Sequence, residues 1–378
     1  MLRSILASAA VVALAACSDV QSPISAPATP RLSQSSQASG GVFVSTNGLN
    51  GNAIVAFARA ADGSLTSTGT YATGGTGIGG VGDPLASQFA VALSPNAKVL
   101  VVVNAGSNDV SSFAVNGGSL ALVDRASSSG VRPVSVAVSK DYVYALNTLS
   151  NTIGVLAIGS DGSLTALPAK MKALSAGADG AAEVRLSPNG HLLVVSERVS
   201  NRLETFIVSD DGSLGDGVVT PAAGNTPFGF DFTTRGQVIV SEAASGSASS
   251  YNVNDDGSLA VASGAASTLQ RAPCWLIVNN SGRFAYTANA GSATVTGFAI
   301  AANGTLSLLA STGVSGDLGT GAQPLDLDMS RNGNFVYVMK NGTGTIGAFA
   351  VAGDGSLSPL ADTPGLLARA GYMGLAAY

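Results

Sequence analysis

The chain has 378 residues, 46% of them hydrophobic and only 11% charged, with 48 glycines, 2 cysteines and 1 histidine. Its net charge is −5 and its isoelectric point about 4.8. No basic run interrupts it, which excludes a nucleic-acid partner. There is no glycine-rich phosphate loop and no Cys/His metal cluster. Any Ser-His-Asp arrangement would depend on His191 alone, and His191 falls in a surface turn of the repeat described below.

Residues 1–16 read as an export signal. Arg3 supplies the positive start, and Ile5 to Leu14 is an apolar core too short to span a bilayer. Leu14-Ala15-Ala16-Cys17 resembles the bacterial lipoprotein signal-peptidase motif, so the expected mature N-terminus is a lipid-modified Cys17. Ser18 in the next position resembles the pattern sorted to the outer membrane of two-membrane bacteria. The expected location is therefore the periplasmic face of that membrane. Residues 17–40, rich in Ser, Ala, Pro and Gln, are expected to be a flexible tether.

Residues 41–378 carry a repeat. Asp62-Gly63-Ser64-Leu65 recurs as Gly117 to Leu120, Asp161 to Leu164, Asp211 to Leu214, Asp256 to Leu259, Asn303 to Leu306 and Asp354 to Leu357. From leucine to leucine the steps are 55, 44, 50, 45, 47 and 51 residues. A period of about 49 residues is one four-stranded propeller blade. A second repeat runs out of phase with it: Pro133 to Ser139, Pro227 to Thr233 and Pro324 to Ser330 alternate apolar with variable residues, the period of a strand. A turn such as Ser187-Pro188-Asn189-Gly190 follows, then an apolar run such as Val99–Val103, then a third strand such as Thr152–Ile158. The Asp-Gly turn leads to the fourth. Each unit thus reads as strands a, b, c and d from the inside outwards.

The first unit lacks its inner strand, because Val42 to Ser45 is already of b type. A leftover segment within Tyr372–Tyr378 stands at the other end. The predicted fold is therefore all-β, a seven-bladed β-propeller whose C-terminal strand joins the N-terminal blade and removes the exposed edges. The folded part holds one cysteine, Cys274, expected to be a small buried hydrophobe rather than a nucleophile.

Two positions depart from the repeat. The last residue of strand b reads Asn47, Asn104, Asn147, Glu197, Glu242, Asn289 and Lys340, so three blades replace asparagine with a charge. Two residues into strand a the chain reads Ala90, Ser135, Glu183, Gly229, Trp275 and Asp326. Two further on it reads Ala92, Ala137, Arg185, Asp231, Ile277 and Asp328. Charges on an innermost strand cannot all sit in dry packing between blades. Glu183, Arg185, Glu197, Arg198, Glu242, Trp275, Asp326, Asp328 and Lys340 are expected to converge on one mouth of the central channel as a ligand site. The alternative is a set of inter-blade bridges that satisfy backbone groups.

Segments such as Ser187-Pro188-Asn189-Gly190-His191-Leu192-Leu193-Val194-Val195-Ser196 and Asn280 to Asn289, each followed by a c strand and the Asp-Gly-Ser-Leu turn, resemble the seven-bladed lactonase-type propellers. That family includes propeller 6-phosphogluconolactonases and 3-carboxy-cis,cis-muconate lactonizing enzyme. The resemblance implies lactone hydrolysis, or the reverse ring closure, on a small carboxylated substrate. It implies a histidine and a glutamate as acid-base groups and arginines gripping anionic substrate groups. The one histidine here maps to the wrong end, so Glu197 or Glu242 takes the place of the base. Arg198 or Lys340 becomes the oxyanion partner, Arg185 a further anion grip, and Trp275 the wall against the ring. No cofactor is expected. A divalent cation on Glu197, Glu242, Asp326 and the asparagines is set aside, because the lactonases that use such an ion have six blades. The competing reading is a non-catalytic, lipid-tethered propeller that binds an envelope protein or glycan. In either reading the protein is expected to be a monomer.

Overall fold

The computed structural model describes residues 39–378, so the expected export signal, Cys17 and most of the tether lie outside the described residues. From Gly40 onward the chain forms seven antiparallel sheets, each of four strands, with the outer strand of blades 3, 6 and 7 split into two pieces. Blade 4 is representative: strand a is Ala181–Leu186, b is Leu192–Glu197, c is Arg202–Ile207 and d is Val218–Pro221. The a strands of successive blades stand side by side and define the central channel. Strand b is buried on both faces in blade 4, as in blades 2, 5, 6 and 7. That is why it reads as a near-continuous apolar run rather than an alternation. One 3-10 turn, Pro168–Lys170, is the sole helical element among the described residues.

The ring closes as the repeat predicts. Met373–Ala377 pairs antiparallel with Gly40–Ser45, placing Ala376 opposite Phe43 and Leu375 opposite Val44. Blade 1 therefore takes its inner strand from the C-terminus and its other three from the start of the described chain.

The Asp-Gly turns have two roles. In Asp62, Asp161, Asp211, Asp256 and Asp354 one carboxylate oxygen accepts from the N–H and the hydroxyl of the serine two residues on. These bonds hold each carboxyl below the usual range. The following glycine adopts positive φ in each, where a side chain would be strained. Its carbonyl then accepts a hydroxyl from the preceding blade. The donors are Tyr337 to Gly63, Ser112 to Gly162, Tyr144 to Gly212, Thr205 to Gly257, Ser250 to Gly304 and Tyr286 to Gly355. The hydroxyls of Thr68 and Tyr378 serve Gly118 and Gly117 at the seventh junction. The repeated tetrapeptide is thus the latch of every blade-to-blade interface.

Candidate functional site

Strand a has no neighbour on its channel side, so its inward N–H groups need partners from elsewhere. The variable residues of strand a supply them. The Ser135 hydroxyl accepts from Val184 N–H, and Glu183 Oε2 accepts from Phe230 N–H at 2.7 Å. Asp231 Oδ2 accepts from Val278 N–H at 2.9 Å. Asp326 Oδ2 and Asp328 Oδ2 accept from Leu375 and Ala377 N–H at 3.0 and 2.8 Å. Each carboxylate therefore ties its own blade to the next one. Arg185 lies inside this set. Its Nε donates to Asp231 Oδ1 at 2.8 Å, and its guanidinium rests 4.0 Å from the Phe89 ring centroid. Burial raises the Glu183 and Asp326 carboxyls well above their ordinary value, and Asp328 to about 7, against the backbone donors that favour the anion.

Blade 5 breaks the pattern with Gly229, and a plug completes it. The segment before strand a of blade 2 dips into the channel. The Ser87 hydroxyl donates to Val134 O, Gln88 N–H to Ala182 O, and Val136 N–H to Phe89 O. The Gln88 side chain crosses to blade 6, where Oε1 accepts from Leu276 N–H and Nε2 donates to Leu276 O, both at 2.9 Å. A Cβ on Gly229 would stand 1.9 Å from Gln88 Oε1, so the glycine makes room for the visiting side chain. Trp275 Nε1 donates to Ser87 O. Ala86 and Phe89 hold positive φ, a strain the surrounding bonds enforce. The 55-residue first step of the repeat, longest of the six, is the sequence signal for this segment. The glycine-rich run Gly74 to Gly82 leads into it.

At the mouth formed by the b–c turns, the plug brings Asp83 to blade 4. Asp83 Oδ1 accepts from Ala86 N–H at 2.8 Å, and burial pushes its carboxyl up to about 7 against the opposing field of Arg198. Cys274 lies within the same field, its thiol pushed up to about 12 by burial and then by Asp83. Such a thiol is no nucleophile. Three buried polar atoms here lack a protein partner: Glu183 Oε1, Glu197 Oε1 and Arg198 Nε. Unpaired buried groups are costly and mark either strain or function. Asp83 and the plug are absent from the sequence-level site, because nothing in the repeat places an inter-blade loop inside the channel.

The remaining predicted residues sit apart from one another. Glu197 Oε2 accepts from Ser200 Oγ at 2.5 Å and Arg202 Nε at 2.7 Å, and burial raises its carboxyl against these bonds. Glu242 is enclosed by three donors, Gly224 N–H and the hydroxyls of Ser247 and Ser249. Lys340 is paired with Asp362. Trp275 is 1% exposed and packs edge-on against Phe228, with no face open to a ligand. Glu183, Arg185, Asp326 and Asp328 share the channel wall, whereas Glu197, Glu242 and Lys340 are each fixed within their own blade. His191 is exposed at the opposite end, beside Arg235 and Asp255.

The model of the lactonase family, described as a seven-bladed β-propeller, matches residues 20–260 and 239–361. The chain therefore belongs to the lactonase family of seven-bladed propellers. It is 29% identical over 154 residues to a 6-phosphogluconolactonase of Serratia proteamaculans, covering 40% of this chain and 45% of that one. A 6-phosphogluconolactonase of Sodalis glossinidius is 26% identical over 36% of this chain and 42% of its own. The matched region thus spans less than half the length of these relatives. Among solved structures, a Bacteroides fragilis protein provisionally described as a 6-phosphogluconolactonase superposes with a TM-score of 0.71 at 18% identity, over 91% of this chain and 99% of that one. The periplasmic gluconolactonase of Pseudomonas aeruginosa gives 0.67 at 18% identity, over 89% and 98%. At these identities the superpositions speak to the fold.

Proposed function

We propose that the protein hydrolyses a small anionic lactone of the sugar-acid class at the blade 4 edge of the channel mouth. The observation that carries this reading is the set of unpartnered buried atoms on Glu183, Glu197 and Arg198, beside Asp83, in a member of a lactonase family. Opening a lactone needs a base for the attacking water, a donor for the oxyanion and an acid for the departing alkoxide. Glu242 has no oxygen to spare and Glu197 Oε2 is committed to Ser200 and Arg202, so the base is Asp83, partly buried and ionised above pH of about 7. Arg198, with its Nε–H unspent, holds the developing oxyanion or the substrate's phosphate or carboxylate. Glu183, its carboxyl raised by burial, donates its own proton to the alkoxide, and the proton that Asp83 took from water leaves through solvent, from which Glu183 is reprotonated.

The test is turnover against gluconolactone, its 6-phosphate and a carboxylated muconolactone. The expected rate rises with pH through about 7, the range in which Asp83 ionises. Asp83→Asn and Arg198→Ala are each expected to lower kcat/KM by on the order of a hundredfold while the fold is retained. Absence of turnover on every lactone by folded wild-type protein would sink the reading, and unchanged turnover in both variants would move the site elsewhere. We also propose that the protein is an exported lipoprotein anchored through Cys17 at the periplasmic face of the outer membrane, on the Leu14-Ala15-Ala16-Cys17 motif. Cys17→Ser is expected to abolish lipid labelling; equal labelling of variant and wild type excludes the anchor.

A further inference from the structure

The plug divides the channel, since Ser87 and Gln88 bond to blades 3, 4 and 6 at once. Its far side opens on the a–b turns, opposite the mouth that holds Asp83. A cavity of about 220 Å³ lies there. Part of its wall is the Arg185 guanidinium, stacked on the Phe89 ring of the plug. Asp231 fixes that guanidinium through Nε at 2.8 Å, and neither Nη group donates to a protein acceptor among the described residues. The Arg185 side chain is 30% accessible against 10% for Asp231, so the cation is the open member of the pair. Arg331 lines the same cavity from the a–b turn of blade 7 and forms no ion pair among the described residues. Asp328 is the one carboxyl side chain in the lining. Its two oxygens are occupied by Met329 N–H and Ala377 N–H, each at 2.8 Å, and burial raises it to about 7. The Tyr378 main-chain oxygen is held by Arg59 Nε at 3.0 Å.

The repeat shows the same preference around this mouth. The a–b turns carry Lys98, Lys140, Arg235, Arg283 and Arg331 in blades 2, 3, 5, 6 and 7, and Asp141 is the only acid on any of them. The aspartates of the c–d turns belong to the same end but stand between the two outer strands of each blade. A chain of net charge −5 thus sets its cations on the inner rim, where their field draws an anion toward the channel. We propose that this far mouth is a second ligand site, which takes the carboxylate or phosphate of a small molecule on the two Nη groups of Arg185, with Arg331 as the second cation. A guanidinium already fixed at Nε presents its remaining N–H groups as a preorganised fork for an oxyanion. The cavity volume falls below the roughly 300–1,000 Å³ of sites for drug-sized molecules, which selects a smaller ligand. The plug stands between this site and Asp83, so either mouth can be filled while the other is empty.

The experiment is calorimetric titration of the full-length protein with inorganic phosphate and with gluconate, in the wild type and in Arg198→Ala, so that the two mouths are counted separately. Expected is a saturable site that persists in Arg198→Ala for at least one of the two anions, and the tighter of them tells phosphate from carboxylate. In that background Arg331→Glu and Arg185→Ala are each expected to weaken binding by about tenfold or more. Arg331 is exposed and its side chain has no protein partner among the described residues, so Arg331→Glu decides the matter even where loss of Arg185 unfolds the chain. Binding should also weaken as pH rises through about 7, where Asp328 gains its charge. The charged groups around Asp328 are Arg185 and Glu183 on blade 4, Asp231 on blade 5, Asp326 on its own strand and Arg331 beyond its end. No saturable binding of either anion to folded Arg198→Ala, or the same affinity with and without Arg331→Glu, would overturn the proposal.

Discussion

Glu242 and Asn289 occupy the same repeat position with inverted hydrogen-bond polarity. Asn289 Nδ2 donates to the hydroxyls of Thr294 and Thr296, whereas the Glu242 carboxylate accepts from those of Ser247 and Ser249. Hydroxyls can turn to suit either partner, so the position tolerates an exchange of chemistry without an exchange of role. Glu242→Asn is expected to keep most of the stability. Glu242→Ala strands three donors and is expected to cost about 2–3 kcal/mol in denaturant titration, with activity per folded molecule unchanged. Glu197 differs, because it also holds the Arg202 guanidinium, which reaches Ser175 O and Ala176 O. Removing its charge therefore loosens the loop on which Arg198 and Gly180 meet.

At the scale of elements, two closures hold the ring. Removal of Met373–Tyr378 strips blade 1 of its inner strand and takes the Leu375 and Ala377 N–H donors from Asp326 and Asp328. That truncation is expected to prevent stable folding; normal solubility and an unchanged melting temperature would contradict it. The plug is the second closure. Gln88→Ala removes both bonds to Leu276 and opens a gap over Gly229, with an expected loss of about 2 kcal/mol. Gly229→Ala tests the same contact from the other side, since its methyl would strike Gln88 Oε1. Each should lower the melting temperature, and combining them should cost less than the sum, because they disrupt one interaction.

For the whole molecule, the buried carboxyls set the response to pH. In the folded state Asp83 and Asp328 are raised to about 7, and Glu183 and Asp326 are raised well above their ordinary values. The folded protein therefore retains protons that the unfolded chain releases above pH of about 4. Stability contributed by these groups falls as pH rises from about 4 through 7. Melting temperature is expected to be higher at pH 5.5 than at pH 8, approximately; a higher value at the alkaline end would show these carboxyls ionised in the fold. Activity, which requires ionised Asp83, should run in the opposite direction across the same interval.

The sequence by itself determined the blade count, the strand order and the closure of the ring. Those rest on local chemistry: the Asp-Gly turn that needs positive φ, the doubly buried b strand, and an N-terminal blade one strand short. It also marked Glu183, Arg185, Asp326 and Asp328 as departures, because a repeat is its own control. Only the tertiary structure decided what those departures touch. Their partners are 46–49 residues away in the next blade, a contact that no local pattern encodes. The plug and the approach of Asp83 to Arg198 have the same origin. Each depends on where a ring of blades carries residues distant in the chain, and side-chain chemistry alone leaves that distance open.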